Sequence, residues 1–410
     1  MREVWLFQTG EPILTDSNYT RPMRCMNLLD VFLSKGFKVR VFTTNFFHQE
    51  KTNRFESYTC IHGPNYEIHF VESPGYRSNI SPGRFYDHFM LGRNLSKLLC
   101  TFKEKPDFVV IGFPPIEFAY SAATYCIEND IPFTVDVKDK WPDFFYSKAA
   151  RIFHPFLKLG LFYYEIQTKF IFGSADFITT ISASYLRWAS EKAARPVKSS
   201  DRILYLSDLG SSQVVEHPIE VGDLIGDYSE DNIYIVFFGT LASSFDFGFL
   251  DACVESYSGS NVRFLICGDG DNLSSLKSKY SGEIVQFTGW VNKEQLSCLA
   301  NISSMALAPY IRVDNFLDNI PNKIIDYMKF GLPILTSLNG EVGDIISESN
   351  IGLVYSDNEN FIDALNFLLE NDDLLATMSK NCKELHQVRF DGDVNYQSYV
   401  DFVSDYYYGY

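Results

Sequence analysis

Strand-like and helix-like stretches alternate along all 410 residues, which predicts an α/β fold of two Rossmann-like parallel-sheet domains facing across a cleft. The strand-like runs are apolar almost without interruption, as in parallel sheets covered on both faces. They also come in two sets. Between the sets lies 206–230, rich in Gly, Ser and Asp and without a sustained period. A chain of this length suits two domains of about 200 residues each.

In the first set the expected strands are 3–10, 38–44, 67–73, 107–113, 132–139 and 176–182, with helical patterns such as 21–36 between most of them. In the second set they are 234–239, 262–268, 284–289, 305–310, 333–338 and 351–355. The organisation is then 1–205, an N-terminal Rossmann-like domain; 206–230, a linker; and 231–390, a C-terminal Rossmann-like domain. The aromatic tail 391–410 reads as a helix packing back on the N-terminal domain. Ligands of open parallel sheets bind beyond the carboxyl ends of the strands, so the loops there are where function is sought.

Composition narrows the function. The eight cysteines are scattered, with no CxxC pair, which disfavours a zinc site and suits a reducing compartment. The start MREVWLFQTG turns polar at once and does not read as a signal peptide. No run of 18 or more apolar residues predicts a transmembrane helix. The expected location is cytoplasmic. Residues 1–200 hold 24 Lys+Arg against 20 Asp+Glu, net +4, whereas the remainder holds 11 against 32, net −21. The acidic half argues against nucleic acid as a partner. The basic half suits an anionic surface.

The stretch DNIPNKIIDYMKFGLPIL (318–335) carries the sharpest signal. Pro321, Ile324, Ile325 and Met328 give one buried helix face, and Gly331 ends the helix. Lys323 falls in the first turn, where the helix dipole disfavours a cation. Either it pairs with Asp326 on the surface, or an anion binds there. CGDGDN (267–272) follows a strand, and Gly268 and Gly270 permit close backbone approach. Leu273 breaks the dinucleotide fingerprint G-x-G-x-x-G, which disfavours a nicotinamide oxidoreductase. VDVKDKWPDFF (135–145) places Asp136, Lys138, Asp139 and Trp141 at a strand's carboxyl end, where they face a cleft or form a solvated turn. TGEPILTD (9–16) puts Gly10 and Glu11 after the first strand, with Arg21 and Arg24 on the next helix. The loop 74–89 carries Arg77, Arg84 and His88, and either touches a substrate or caps a helix. The apolar stretch 152–173, flanked by Lys148, Arg151, Lys158 and Lys169, fits a core helix or an interfacial helix lying on a membrane.

Together these residues resemble the retaining glycosyltransferases of family four, which have the GT-B fold. The resemblance spans nearly the whole chain. Its C-terminal part is FFGTLASSFDFG, FLICGDGDNL, FTGWV, LAPY and NIPNKIIDYMKFGLPIL. The family's two glutamates eight positions apart match Asp318 and Asp326, each one methylene shorter. The N-terminal half resembles a bacterial surface-polysaccharide subgroup with a GEPLP-like motif, here GEPILTD. An F-x-H motif (Phe46, His48), GYRSNIS and DVKDKWP follow in order. The resemblance implies a donor site for a nucleotide diphosphate sugar made by Gly10, Gly239, Gly268, Gly289, Trp290, Asn322, Lys323 and Asp326. It implies catalytic roles for Asp139 and Asp318, acceptor-side roles for Glu11, Arg77, Arg84 and Lys138, and no metal or cofactor. Departures are visible. No Arg or Lys follows the first strand of the second set in GTLASSFDFG, and FPPIEF has no histidine.

The expected function is transfer of a hexosyl or acetamidohexosyl group to a glycan or lipid-linked acceptor in surface polysaccharide synthesis, lipopolysaccharide or capsule. Peripheral membrane contact through 148–173 is expected with it. A non-catalytic sugar-nucleotide-binding subunit and a nucleotide-sugar epimerase are the alternatives.

Overall fold

The computed structural model describes residues 2–16, 22–79, 81–209, 221–226 and 228–409. Arg21, the side chain of Lys148 and residues 210–220 and 227 of the expected linker lie outside that description. The chain divides into two compact units. The first is Met1–Leu209 with Gly392–Tyr410, and the second is Gly210–Asp391.

The first unit is built on an eight-stranded sheet. From edge to edge its strands are Arg202–Ile203, Phe177–Thr180, Phe133–Val137, Phe108–Phe113, Glu3–Phe7, Lys38–Thr44, Tyr66–Val71 and Thr59–Gly63. All neighbours are parallel except the last pair, which is antiparallel. Phe108–Phe113 and Phe133–Val137 are buried at every residue, because helices cover both faces. The chain winds outward from Glu3–Phe7 to one edge, then returns to Phe108–Phe113 and winds to the other. The crevice beside those two strands is therefore the switch point where ligands bind.

The helix Gly392–Tyr408 closes this unit. Its Tyr396, Tyr399, Val400 and Val403 share a core with Met26, Leu29 and Phe32 of the helix Arg24–Ser34.

The second unit has six parallel strands in the order Val285–Gly289, Val262–Cys267, Ile233–Phe238, Ser303–Ala308, Ile334–Thr336 and Gly352–Val354. Its switch point lies between Ile233–Phe238 and Ser303–Ala308. The helix Asn322–Phe330 buries Ile324, Ile325, Tyr327 and Met328 and ends on Gly331 at φ 72°. Pro321 stands one position earlier than expected, as the residue before the helix, with φ −62° and an extended ψ.

Two expectations change here. Asp136 does not face a cleft: it is 2 % exposed and forms an ion pair with the buried Arg24, which also donates to the Leu204 carbonyl. The stretch 152–173 is not a core helix on all sides. The helix His154–Ser174 buries Leu161, Gln167, Thr168, Ile171 and Phe172. Ile152, Phe156, Leu159, Tyr163, Ile166 and Phe170, spaced alternately four and three residues apart, are exposed on one stripe.

Candidate functional site

In the first unit a pocket of about 300 Å³ opens beyond the carboxyl ends of the strands at the switch point. Motifs far apart in sequence meet there. Gly10 and Glu11 follow the first strand, Phe46 and His48 follow Lys38–Thr44, Tyr76 and Arg84 come from the loop and helix start around 82, and Lys138 and Asp139 follow Phe133–Val137. The joints are polar. His48 Nδ1 lies 2.5 Å from the Tyr76 hydroxyl, and Lys51 Nζ donates to Asn79 Oδ1 at 2.6 Å. Gly75 has φ 75°, and a Cβ there would lie 2.6 Å from the Phe46 ring, so glycine is required where the motif has it.

Glu11 is buried and committed inward. It accepts from the Cys25 amide at 2.8 Å, satisfying the start of a helix whose own N-cap, Met23, offers no side chain, and it pairs with Lys138. Asp139 lines the pocket and accepts from the Lys140 amide at 2.8 Å. Burial holds its carboxyl above the ordinary range, against the opposing pull of that amide and of Arg84. Such a carboxylate is a better proton acceptor than an exposed one. Arg77 is exposed and not part of the lining.

His88 lines the pocket wall, and Glu117 and Tyr164 stand behind it, a connection that sequence reading did not make. His88, on the helix Pro82–Leu99, accepts from Arg84 Nε through Nε2 at 3.4 Å, and its Nδ1 lies 3.9 Å from Glu117 Oε2. Tyr164 donates to Glu117 Oε1 at 2.8 Å. Burial, then Arg84 and His48, push His88 down to about 3, while burial pushes Glu117 up to about 7. His48 is pushed down to about 4 by burial and by the neighbouring Lys51 and Arg84. Both histidines are therefore neutral at pH 7. Only His88 carried a signal in sequence, named with Arg84 in the stretch 74–89 read as a loop; the structure puts both on the helix Pro82–Leu99.

In the second unit the strand ends bring together most of the donor-side candidates. The Gly239 amide donates to the Cys267 carbonyl at 2.9 Å, and the Gly268 amide to the Gly289 carbonyl at 2.7 Å, so the three glycines follow adjacent strands. Lys323 reaches back to Gly239 from the first turn of Asn322–Phe330. A Cβ on Gly239, which has φ 141°, would lie 1.6 Å from Lys323 Nζ. The ammonium sits 5.4 Å from the Phe237 ring centroid and 4.9 Å from that of Phe245. The aromatic faces offset the unfavourable helix end. Asn322 Oδ1 is buried without a hydrogen-bond partner among the described residues. Asp326 lies one turn along the same helix and is close enough to raise the pKa of Tyr310 and Tyr327, although burial is the larger cause for both. Asp318 is half-buried ahead of the helix, and Trp290 is 69 % exposed. Gly10, by contrast, lies in the first unit with the acceptor-side candidates.

Residues 232–371 match the family model described as Glycosyl transferases group 1. Solved structures share the fold of the whole chain. HepE of Anabaena in complex with UDP matches with a TM-score of 0.65 at 13 % identity, over 99 % of this chain and 100 % of that one. A trehalose-6-phosphate structure from E. coli, bound with UDP-2-fluoro glucose, matches with a TM-score of 0.68 at 12 % identity, over 99 % of each chain. WaaG, a glycosyltransferase involved in lipopolysaccharide biosynthesis, matches with a TM-score of 0.62 at 13 % identity, over 100 % of both chains. No curated protein sequence matches. At these identities the likeness shows the GT-B fold, and with the family match it supports a GT-B glycosyltransferase.

Proposed function

We propose that this chain is a retaining glycosyltransferase that moves a hexosyl or acetamidohexosyl group from a nucleotide diphosphate sugar to a glycan or lipid-linked acceptor, in the synthesis of bacterial surface polysaccharide. The observation that carries the reading is Lys323 at a helix start, lying against Gly239, whose amide and that of Gly268 link the glycine-bearing ends of three adjacent strands. That arrangement suits a diphosphate: backbone can approach closely, and an ammonium and helix N–H groups point at one place. The UDP in HepE and the UDP-2-fluoro glucose in the E. coli structure agree with it.

In the proposed reaction the bond from the anomeric carbon to the phosphate oxygen breaks and the acceptor oxygen bonds to that carbon on the same face. Lys323 offsets the charge that grows on the leaving diphosphate. Asp326 holds ribose hydroxyls, Asp318 approaches the donor sugar, and Asp139 takes the acceptor hydroxyl's proton. Because Lys323 supplies the positive charge, this transfer needs no metal or cofactor.

The test is a calorimetric titration with UDP, GDP and ADP, with CMP as control. One tight binder is expected. Binding to none of them overturns the reading. Asp318→Ala then separates an enzyme from a non-catalytic subunit: an enzyme loses turnover, while a binding subunit loses affinity alone.

We place the protein in the cytoplasm at the inner face of the membrane. Among the described residues no helix is long and apolar enough to cross a membrane. The stripe from Ile152 to Phe170 instead lies along the surface of the first unit, with the exposed cations Arg151, Lys158 and Lys169 beside it. Each such side chain gains about 1.5–3 kcal/mol on leaving water, which favours an interfacial helix on anionic lipid. Sedimentation with vesicles containing anionic phospholipid is expected at low salt, with at least a tenfold loss in Phe156→Glu/Leu159→Glu. No sedimentation of the unaltered protein at low salt would sink this placement.

A further inference from the structure

The pocket of the first unit carries a surplus of positive charge at one edge. Lys51 Nζ lies 4.8 Å from the centroid of the Tyr76 ring, and the Arg84 guanidinium carbon lies 5.4 Å from the same centroid and 4.6 Å from that of Trp141. Both cations are tied to Asn79: Lys51 donates to its side-chain oxygen at 2.6 Å and Arg84 to its carbonyl at 2.9 Å. Neither makes an ion pair among the described residues. Two cations gathered on one aromatic ring repel each other, and that repulsion, with burial, lowers the pKa of Lys51.

The nearby charges do not cancel this. Asp87 also lines the pocket, but its carboxylate is engaged by Ser73 Oγ and by the Gly75 amide at 2.6 Å, from both of which it accepts. Asp139 accepts from the Lys140 amide, and Glu11 and Lys138 pair with each other. His48 and His88 are neutral and act as hydrogen-bonding groups: His88 Nε2 holds Arg84 Nε, and His48 Nδ1 lies 3.1 Å from Lys51 Nζ. Arg84 is also the third residue of the 18-residue helix Pro82–Leu99, where the helix dipole adds to the positive potential. The fork of Arg84 is therefore fixed through Nε and one terminal nitrogen, beside the Lys51 ammonium. A planar guanidinium and an ammonium together suit a tetrahedral dianion.

We propose that the acceptor enters this pocket through a phosphate group bound between Arg84 and Lys51 against the Tyr76 ring. The proposal rests on the glycosyltransferase reading for the word acceptor, but the anion site stands on the first unit alone. Phosphate of this kind comes either from a phosphorylated soluble glycan or from a lipid headgroup, and the chemistry that binds it is the same.

Calorimetric titration of the full chain with glucose 1-phosphate, with glucose as the neutral comparison, tests the site. Binding of the phosphate ester is expected to fall at least tenfold in Arg84→Gln and in Lys51→Gln, and to survive in Lys323→Ala. Among the described residues the Lys51 ammonium is held by Asn79, His48 and Tyr76, so Lys51→Gln keeps the test valid if Arg84→Gln folds poorly on a thermal melt. Binding no tighter than glucose, or binding lost only in Lys323→Ala, overturns the proposal. The nucleotide titration read on the same variants keeps the two readings apart. Nucleotide binding lost everywhere, with Arg84-dependent phosphate binding intact, defeats the donor reading and leaves the anion site. Vesicles carrying phosphatidic acid, set against phosphatidylcholine, distinguish the sources. Loss of vesicle binding in Lys51→Gln assigns a lipid headgroup, and loss of glucose 1-phosphate binding alone assigns a soluble phosphorylated glycan.

Discussion

Asp136→Ala is expected to destabilise the first unit by about 3–5 kcal/mol, because it strands a charge inside the protein. Arg24 is 1 % exposed, its Nε has no hydrogen-bond partner among the described residues, and Asp136 is its ion-pair partner. Burial alone would lower the pKa of Arg24, yet its attraction to Asp136, Tyr396 and Glu11 raises it overall. Alanine removes the carboxylate and leaves the guanidinium dry. Replacing both partners, as in Arg24→Met/Asp136→Leu, removes both charges and is expected to recover most of the loss. Urea melts followed by tryptophan fluorescence report on this unit, since Trp5, Trp141 and Trp188 lie in it and Trp290 alone lies in the other. A loss under about 1 kcal/mol, joined to weaker acceptor binding, would return Asp136 to the substrate side.

The case of Asp136 shows where sequence reading stops. The strand Phe133–Val137 was visible because both faces are apolar, and such a strand has no polar face to say which way a single charged residue points. Its partner lies 112 residues earlier, on a helix, and no local spacing reveals it. The main strands of both sheets were legible for the same reason, as runs too apolar to be anything but interior. The edge strand Thr59–Gly63 was not. It reads TCIHG, is half-exposed and pairs antiparallel with Tyr66–Val71, so it needs no apolar run.

The candidate site divides in the same way. Motifs at strand ends, Gly10–Glu11, His48 and Lys138–Asp139 in the first unit and Gly239 in the second, were legible because the strand ends of each sheet converge at its own switch point. The contact of His88 with Glu117 joins two helices, and Lys51 meets Asn79 across a loop. These meetings are set by packing. Nothing in FPPIEF singles out Glu117, and only burial shows it to be a carboxyl pushed up to about 7.

Lys323→Ala is expected to weaken nucleotide diphosphate binding about 100-fold, the effect of losing a charge-assisted contact of about 1.5–3 kcal/mol. The lysine stands where the helix dipole opposes it, held over Phe237 and Phe245 and against the Gly239 backbone. A phosphate at the helix start reverses that penalty, since the dipole and the ammonium then act on the same anion. Gly239→Ala attacks the arrangement from the other side. Its methyl would fall on Lys323 Nζ, and its φ of 141° suits glycine alone. The same loss of affinity is therefore expected without touching the lysine. Calorimetry on the two single variants and the double variant decides the matter: if both act by removing Nζ from one place, the double variant is no worse than either single one. Losses that add would mean that Gly239 and Lys323 serve separate contacts, and unchanged affinity in Lys323→Ala would mean that the cation meets no phosphate.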